Sequence, residues 1–351
     1  MIVINIVFTI VITVLVFGVL IFIHELGHFL VAKANGIKVN EFALGMGPTL
    51  LKKQGKETVY AIRAFPIGGF VSMEGEDNES QDERAFNHKP VWRRILVTVA
   101  GVVMNLFLGL VLLSIINVCF SGNALASTTV SVIEEGAMPG QTGLQVGDKI
   151  TSINGTAVFV DYDIQFNLLR DNDGVVDIGV ERDGQKMTLN GVTFDTEVGE
   201  DGVRRIQGFG FKVKPIEKNV WTVVEHSALQ TLSVGRLVWL TLVDIVTGNV
   251  GMEQLSGPVG TANVISQAAH QGMESFLMLV AFISINLGVF NLLPIPGLDG
   301  GRLLFLIIEG IRRKPIPIKY EGIVNFAGLA LMMLLLVAVT FNDILRIIQG
   351  G

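Results

Sequence analysis

Cysteine is almost missing from this chain: Cys119 is its one thiol in 351 residues, which excludes an internal disulfide and argues against a thiolate metal site or a thiol nucleophile. Charge is scarce too, at 17% against 50% hydrophobic residues. The mean hydropathy of +0.55 is too high for a soluble chain of this length and indicates several membrane spans. The net charge is only -6 and there is no basic patch of the kind that would suggest nucleic acid, so nucleic acid is not expected as a partner. No Lys or Arg precedes the first apolar run and no small-residue cleavage site follows it. A retained span is therefore expected there rather than a signal peptide.

Four apolar segments are long enough to cross a hydrocarbon layer about 30 Å thick: residues 2–23, 95–120, 276–293 and 322–341. The second follows Trp92, Arg93 and Arg94, an interfacial anchor. Residues 217–247 read instead as an amphipathic helix, with Trp221, Val224, Ala228, Leu232 and Trp239 on or near one face. Arg236 and Asp244 interrupt its most apolar part, so it is expected to lie in the membrane interface, with His226 a surface histidine. From residue 126 to 216 the composition turns soluble, with short alternating strands such as Val130-Ser131-Val132-Ile133 and glycine turns.

The first span ends in His24-Glu25-Leu26-Gly27-His28, an HExxH signature. Four residues apart on a helix, the two imidazoles share a face and can converge on one zinc, while Glu25 reaches a water on the metal. So short a pattern also arises by chance. Ionisable groups in a membrane helix are costly and mark function, which favours zinc at His24 and His28.

The connection from residue 33 to 94 contains apolar stretches at 42–48 and 65–71 broken by Gly and Pro, with Tyr60-Ala61-Ile62-Arg63 a further strand candidate. A re-entrant hairpin beside the metal is expected, with a plain cytosolic loop as the competing reading. The acidic run 74–83 and His88 read as solvated loop. Ten Lys or Arg fall within residues 33–94 and five within 302–319, against ten spread over 121–236. The positive-inside bias therefore places the first two loops in the cytoplasm, and the soluble domain and both termini outside. Spans one and three both run inward. His24 lies 22 residues after Ile2 and Asp299 lies 23 after Phe276, so both come near the inner leaflet. Catalytic zinc takes three protein ligands, which makes Asp299 the natural third.

With those residues in hand, the chain closely resembles the site-2 protease family of intramembrane zinc metalloproteases, in its bacterial branch that carries a PDZ domain, the RseP-type regulators of stress signalling. The residues that carry the resemblance are His24-Glu25-Leu26-Gly27-His28, Asn291-Leu292-Leu293-Pro294-Ile295-Pro296-Gly297-Leu298-Asp299-Gly300, the stretches 42–48 and 65–73, and Gly257-Pro258-Val259-Gly260. It implies that His24, His28 and Asp299 bind Zn2+, that Glu25 is the catalytic base, and that Asn291 holds the substrate strand or the developing oxyanion. Pro294, Gly68 and Gly69 fall on the substrate side by the same resemblance. It further implies a re-entrant hairpin at 42–73 that clamps an unwound substrate by strand addition, and a PDZ-like domain that includes residues 143–155 and a helix at 161–170. The chain departs from the pattern at Val102, where relatives usually carry Pro, and in having one PDZ-like domain where some relatives have two.

The expected architecture is thus a multi-pass α-helical membrane protein with four transmembrane helices, a re-entrant β-hairpin region and an inserted α/β PDZ-like domain. Residues 1–125 form the N-terminal half of the membrane core and 126–216 the PDZ-like extracytoplasmic domain. Residues 217–260 form the interfacial helix and Gly-Pro-Val-Gly loop, and 261–351 the C-terminal half. The expected activity is zinc metalloendopeptidase cleavage of single-span membrane proteins already trimmed by another protease, such as anti-sigma factors or remnant signal peptides, in the bacterial cytoplasmic membrane. Membrane lipid is the other expected partner. A non-catalytic PDZ scaffold and a membrane-anchored protease of soluble chains are the competing readings.

Overall fold

The computed structural model describes residues 2–76, 78–171, 173–199, 204–248 and 257–349; residues 249–256 of the expected 217–260 segment and Asp77 of the acidic run lie outside them. The chain divides into two compact units, Met1–Leu112 with Leu237–Gly351, and Leu113–Arg236.

The first unit opens with α1 (Ile2–Ala34), whose largely apolar sequence leaves helix as the way to satisfy its backbone inside a membrane. It stops where Gly36 takes φ 67°, a left-handed conformation that glycine adopts without steric cost, and Ile37 N–H returns to the Ala32 carbonyl at 2.9 Å. Next come β1 (Val39–Gln54) and β2 (Val59–Met73), an antiparallel pair. Both strands bend sharply, so that Phe42 has Val71 as one partner and Tyr60 as another. The glycines expected to break this region instead let it curve: Gly45 has φ 88°, and a Cβ there would lie 2.6 Å from the Phe65 carbonyl oxygen. One half of the ribbon is buried through Ile37, Val39, Phe42, Val71 and Met73, packed with Phe86 and Val97. The other half exposes Met46, Leu50, Leu51, Ile62 and Phe65.

Helix α2 (Val91–Cys119) runs unbroken through Val102, which is buried. It starts in the first unit and ends in the second, Leu113–Arg236. There β3 (Ala124–Ile133), α3 (Met138–Gln141), β4 (Lys149–Ile153), β5 (Thr156–Ala157), α4 (Asp161–Leu169), β6 (Val175–Arg182), β7 (Gln185–Thr193), β8 (Thr196–Val198), β9 (Arg204–Ile206) and β10 (Phe211–Glu217) follow. The main sheet has the order β10-β3-β4-β6-β7 with β5 paired to β4, and β8 pairs with β9. Its core is built from Val130, Leu144, Ile150, Ile164, Leu168, Ile178 and Val180 with their neighbours.

Helix α5 (Val220–Thr247) begins in this unit. Ser227, Gln230 and Ser233 are buried on one side of it. Asn117 donates to Ser227 and Gln230, while Asp163 accepts from Ser233 Oγ and from Arg236, each at 2.8 Å. Trp221, Val224 and Leu232 are exposed on the other side. His226 was expected at the surface; it is instead half-buried, with Nε2 3.6 Å from Asp161 Oδ1.

The first unit resumes with α6 (Pro258–Gln271), α7 (Met273–Asn291), α8 (Asp299–Arg312) and α9 (Ile318–Gln349). Asp343 accepts the Gly257 and Gly260 amides at 3.0 and 2.9 Å and so caps α6. Helix α6 lies on α1 through Ile265, Val16 and Leu20. Helices α2 and α7 approach closely at small residues: a Cβ on Gly109 would meet Ile285 at 2.4 Å, and one on Gly288 would meet Leu106 at 3.3 Å. Among the described residues, five helices are long and apolar enough to cross a membrane: Asn5–Ala34, Val91–Cys119, Val220–Ile245, Met273–Asn291 and Tyr320–Phe341. That is one more than the four expected spans, the addition being the helix read as interfacial.

Candidate metal centre

Helical spacing puts His24 and His28 on one side of α1, with their Nε2 atoms 3.2 Å apart. The third group arrives from the break after α7. Gly300 and Gly301 allow the first turn of α8 to press onto the chain that precedes it, since Cβ atoms there would lie 2.2 Å from the Leu293 carbonyl oxygen and 2.4 Å from that of Ile295. Asp299, which opens the helix, is thereby held with Oδ2 3.1 Å from His24 Nε2 and 3.3 Å from His28 Nε2. The three atoms form a nearly equilateral triangle. Tetrahedral zinc with bonds of about 2.0–2.1 Å has ligand–ligand edges of about 3.3 Å, so the donor set matches in size as well as in chemistry. Asp299 Oδ2 is buried and faces the two histidine Nε2 atoms, a carboxylate oxygen turned to the space a cation would fill.

Helix α2 lies behind the histidines and meets them at every fourth residue. His28 Nδ1 is 2.8 Å from the Val97 carbonyl oxygen. A carbonyl only accepts, so Nδ1 carries the proton and Nε2 keeps its lone pair for a metal. At Gly101 a Cβ would lie 2.4 Å from His28 Nε2 and 2.7 Å from His24 Nε2; no other residue leaves room there. Asn105, fully buried, places its amide nitrogen 3.2 Å from His24 Nδ1.

A cavity of about 200 Å3 opens over the triangle, with Glu25, Gly69, Thr98, Glu76 and Arg302 on its wall beside His24, His28 and Asp299. Residues Phe70, Val71 and Met73 of β2 continue that wall. Glu25 and the strand are in close contact: a Cβ on Gly69 would sit 3.0 Å from Glu25 Cγ. Asn291, Pro294 and Gly68 lie outside the lining of this cavity. Glu76 was expected in a solvated acidic loop; it instead lines the cavity, accepts the Met73 amide at 3.1 Å and pairs with Arg302, whose guanidinium stacks on Phe86. Sequence reasoning also missed Val97, Gly101 and Asn105.

These contacts describe a metallohydrolase centre, and comparison with known proteins decides which. Residues 12–335 match the model of Peptidase family M50. The chain belongs to this family. A Clostridium acetobutylicum protein provisionally named a zinc metalloprotease is 39% identical over 340 residues, covering 96% of this chain and 97% of the relative. The regulator of sigma-W protease RasP of Bacillus subtilis is 33% identical, covering 97% of this chain and 99% of the relative. The zinc metalloprotease RasP of Bacillus licheniformis is 32% identical with the same coverage. This M50 member is a membrane zinc metalloprotease, and among its described residues His24, His28 and Asp299 are the cluster able to hold the metal.

Proposed function

We propose that the protease hydrolyses peptide bonds within or near the transmembrane segments of single-span membrane proteins, with His24, His28 and Asp299 as zinc ligands and Glu25 as the base. The observation that carries this reading is the triangle of ligand atoms, 3.1–3.3 Å on a side, at the end of an apolar helix and beside the strand that contacts Glu25. Zinc, when bound, supplies a Lewis acid that brings the pKa of coordinated water towards 7 and polarises the scissile carbonyl. Glu25 takes the proton from the attacking water and passes it to the leaving amine, so one carboxylate serves as base and then acid. Gly69, Phe70, Val71 and Met73 line the cavity, and their strand can receive an unwound substrate as an added strand, which is how a helix that hides its amides would be presented. The exposed apolar half of the ribbon supports a re-entrant placement in the bilayer. Asn291, Pro294 and Gly68 keep a role along the extended substrate outside the immediate wall, supported by the family resemblance.

The membrane reading has four spans, with the PDZ-like domain at 126–216 and both termini outside the cytoplasmic membrane and the site near its inner face. Helix α5 counts as interfacial because Ser233 and Arg236 are tied to Asp163 of α4 while Trp221 and Leu232 stay exposed. The domain bounds 1–125, 126–216, 217–260 and 261–351 go with it. The substrates are membrane stubs left by an earlier cut, anti-sigma factors or remnant signal peptides. A single-span reporter incubated with the purified protease tests this: mass spectrometry is expected to place the cut inside or at the edge of its apolar segment. Cuts confined to its soluble part would contradict the proposal.

A further inference from the structure

Asn105 is the polar residue of α2 that faces His24, and the way its amide is turned carries a consequence for the metal. The geometry puts its nitrogen 3.2 Å from His24 Nδ1 and leaves its oxygen buried with no donor. An amide nitrogen only donates, so this arrangement suits a His24 whose Nδ1 carries a lone pair. A neutral imidazole has one N–H. With Nδ1 bare, that proton sits on Nε2, the atom that faces His28 Nε2 and Asp299 Oδ2 at 3.2 and 3.1 Å and must be free to ligate.

We propose that in the zinc-bearing protease the Asn105 amide is turned by half a revolution, so that Oδ1 accepts the proton of His24 Nδ1 and fixes the tautomer whose Nε2 binds zinc. The inference rests on the ligand assignment made above. It gives the orphaned oxygen a donor, and it makes the two histidines equivalent: His28 Nδ1 donates to the Val97 carbonyl on the same helix, two turns earlier. Residues 97, 101 and 105 recur every four positions and so occupy one stripe of α2. The stripe supplies an acceptor, a space and a second acceptor. Ser284 Oγ donates to the Asn105 main-chain carbonyl at 2.8 Å, which anchors the residue to α7 without engaging its side chain. Asn105 is accordingly a positioning residue: it acts on zinc through His24 and touches no reacting atom.

The two orientations make opposite predictions for Asn105→Asp. A carboxylate accepts and cannot donate, so it replaces Oδ1 and removes Nδ2. Zinc affinity is to be measured by chelator competition on the purified full chain in detergent, for the wild type, Asn105→Asp, Asn105→Leu and His24→Ala. Asn105→Asp is expected to bind zinc as tightly as the wild type or more tightly, and Asn105→Leu about 10- to 100-fold more weakly, the usual loss when an orienting partner of a metal-bound histidine is removed. Cobalt substituted for zinc in Asn105→Asp is expected to keep the four-coordinate visible spectrum of the wild type, a signature that a mere packing defect in the leucine variant would not restore. Weakening of Asn105→Asp to the level of Asn105→Leu overturns the proposal, because the nitrogen would then be the group that matters. So does unchanged affinity in Asn105→Leu. Wild-type affinity in His24→Ala would instead overturn the ligand assignment, a separate failure.

Discussion

Asp299 Oδ2 stands 3.1 Å from His24 Nε2, although one residue opens the eighth helix and the other lies in the first. Under the proposed ligand set, the metal would be a tertiary link between the two ends of the membrane core as well as a catalyst. Binding to the folded state alone stabilises by mass action, so removing zinc with a chelator is expected to lower the melting temperature of the wild type. Asp299→Ala, which already lacks one ligand, is expected to melt at the same temperature with and without chelator. A chelator-sensitive Asp299→Ala would remove Asp299 from the ligand set.

Gly101→Ala introduces a methyl 2.4 Å from His28 Nε2, closer than carbon and nitrogen can approach. The expected result is a loss of zinc affinity of about 10- to 100-fold, corresponding to the roughly 1–3 kcal/mol that overpacking costs. Gly18→Ala, where a Cβ meets nothing within 4 Å, is the control and is expected to bind zinc normally. Equal affinities in the two variants would mean that α2 does not close the back of the site.

In the second unit, Asp148 is fully buried and takes Arg182 Nε at 2.6 Å, Arg182 Nη2 at 2.8 Å and the Gln145 amide at 2.9 Å. Burial pushes its carboxyl pKa up, but the hydrogen bonds from Arg182 and Gln145 outweigh burial and hold it below the ordinary value. The stabilisation is therefore present above the unfolded pKa of about 3.9 and is lost as pH falls through the lower folded value. Arg182→Met leaves the buried carboxylate without its charge partner and is expected to cost about 3 kcal/mol near neutral pH, less in acid. Thermal melts at pH 7 and pH 3 check this; a penalty that grew in acid would contradict it.

Parts of this structure were legible in the sequence because spacing carries them. The i, i+4 histidines needed only a helix, and Asp299 was the acid at a matching count along the third apolar segment when zinc called for a third ligand. The orienting groups had no such pattern: Val97 acts through a main-chain carbonyl and Gly101 through an absent side chain, so neither residue type announces its role. Asn105 could have been suspected, as a lone polar side chain in an apolar span. Glu76 was hidden by its company, one acid within an acidic run, and only folding distinguishes it by pairing it with Arg302. The ribbon exceeded its expected length because glycines at positive φ bend a strand where sequence rules see an end. Helix α5 satisfies the length and hydropathy of a span, yet its buried serines and glutamine form a side that hydropathy averaged away.

The central claim is that Glu25 moves protons and does not hold the metal. Its most direct test is the zinc content and turnover of Glu25→Gln measured together on one preparation. One zinc per chain with turnover reduced about 10^2- to 10^4-fold is the predicted result. Turnover equal to the wild type, or loss of zinc along with activity as expected for His24→Ala, would contradict it.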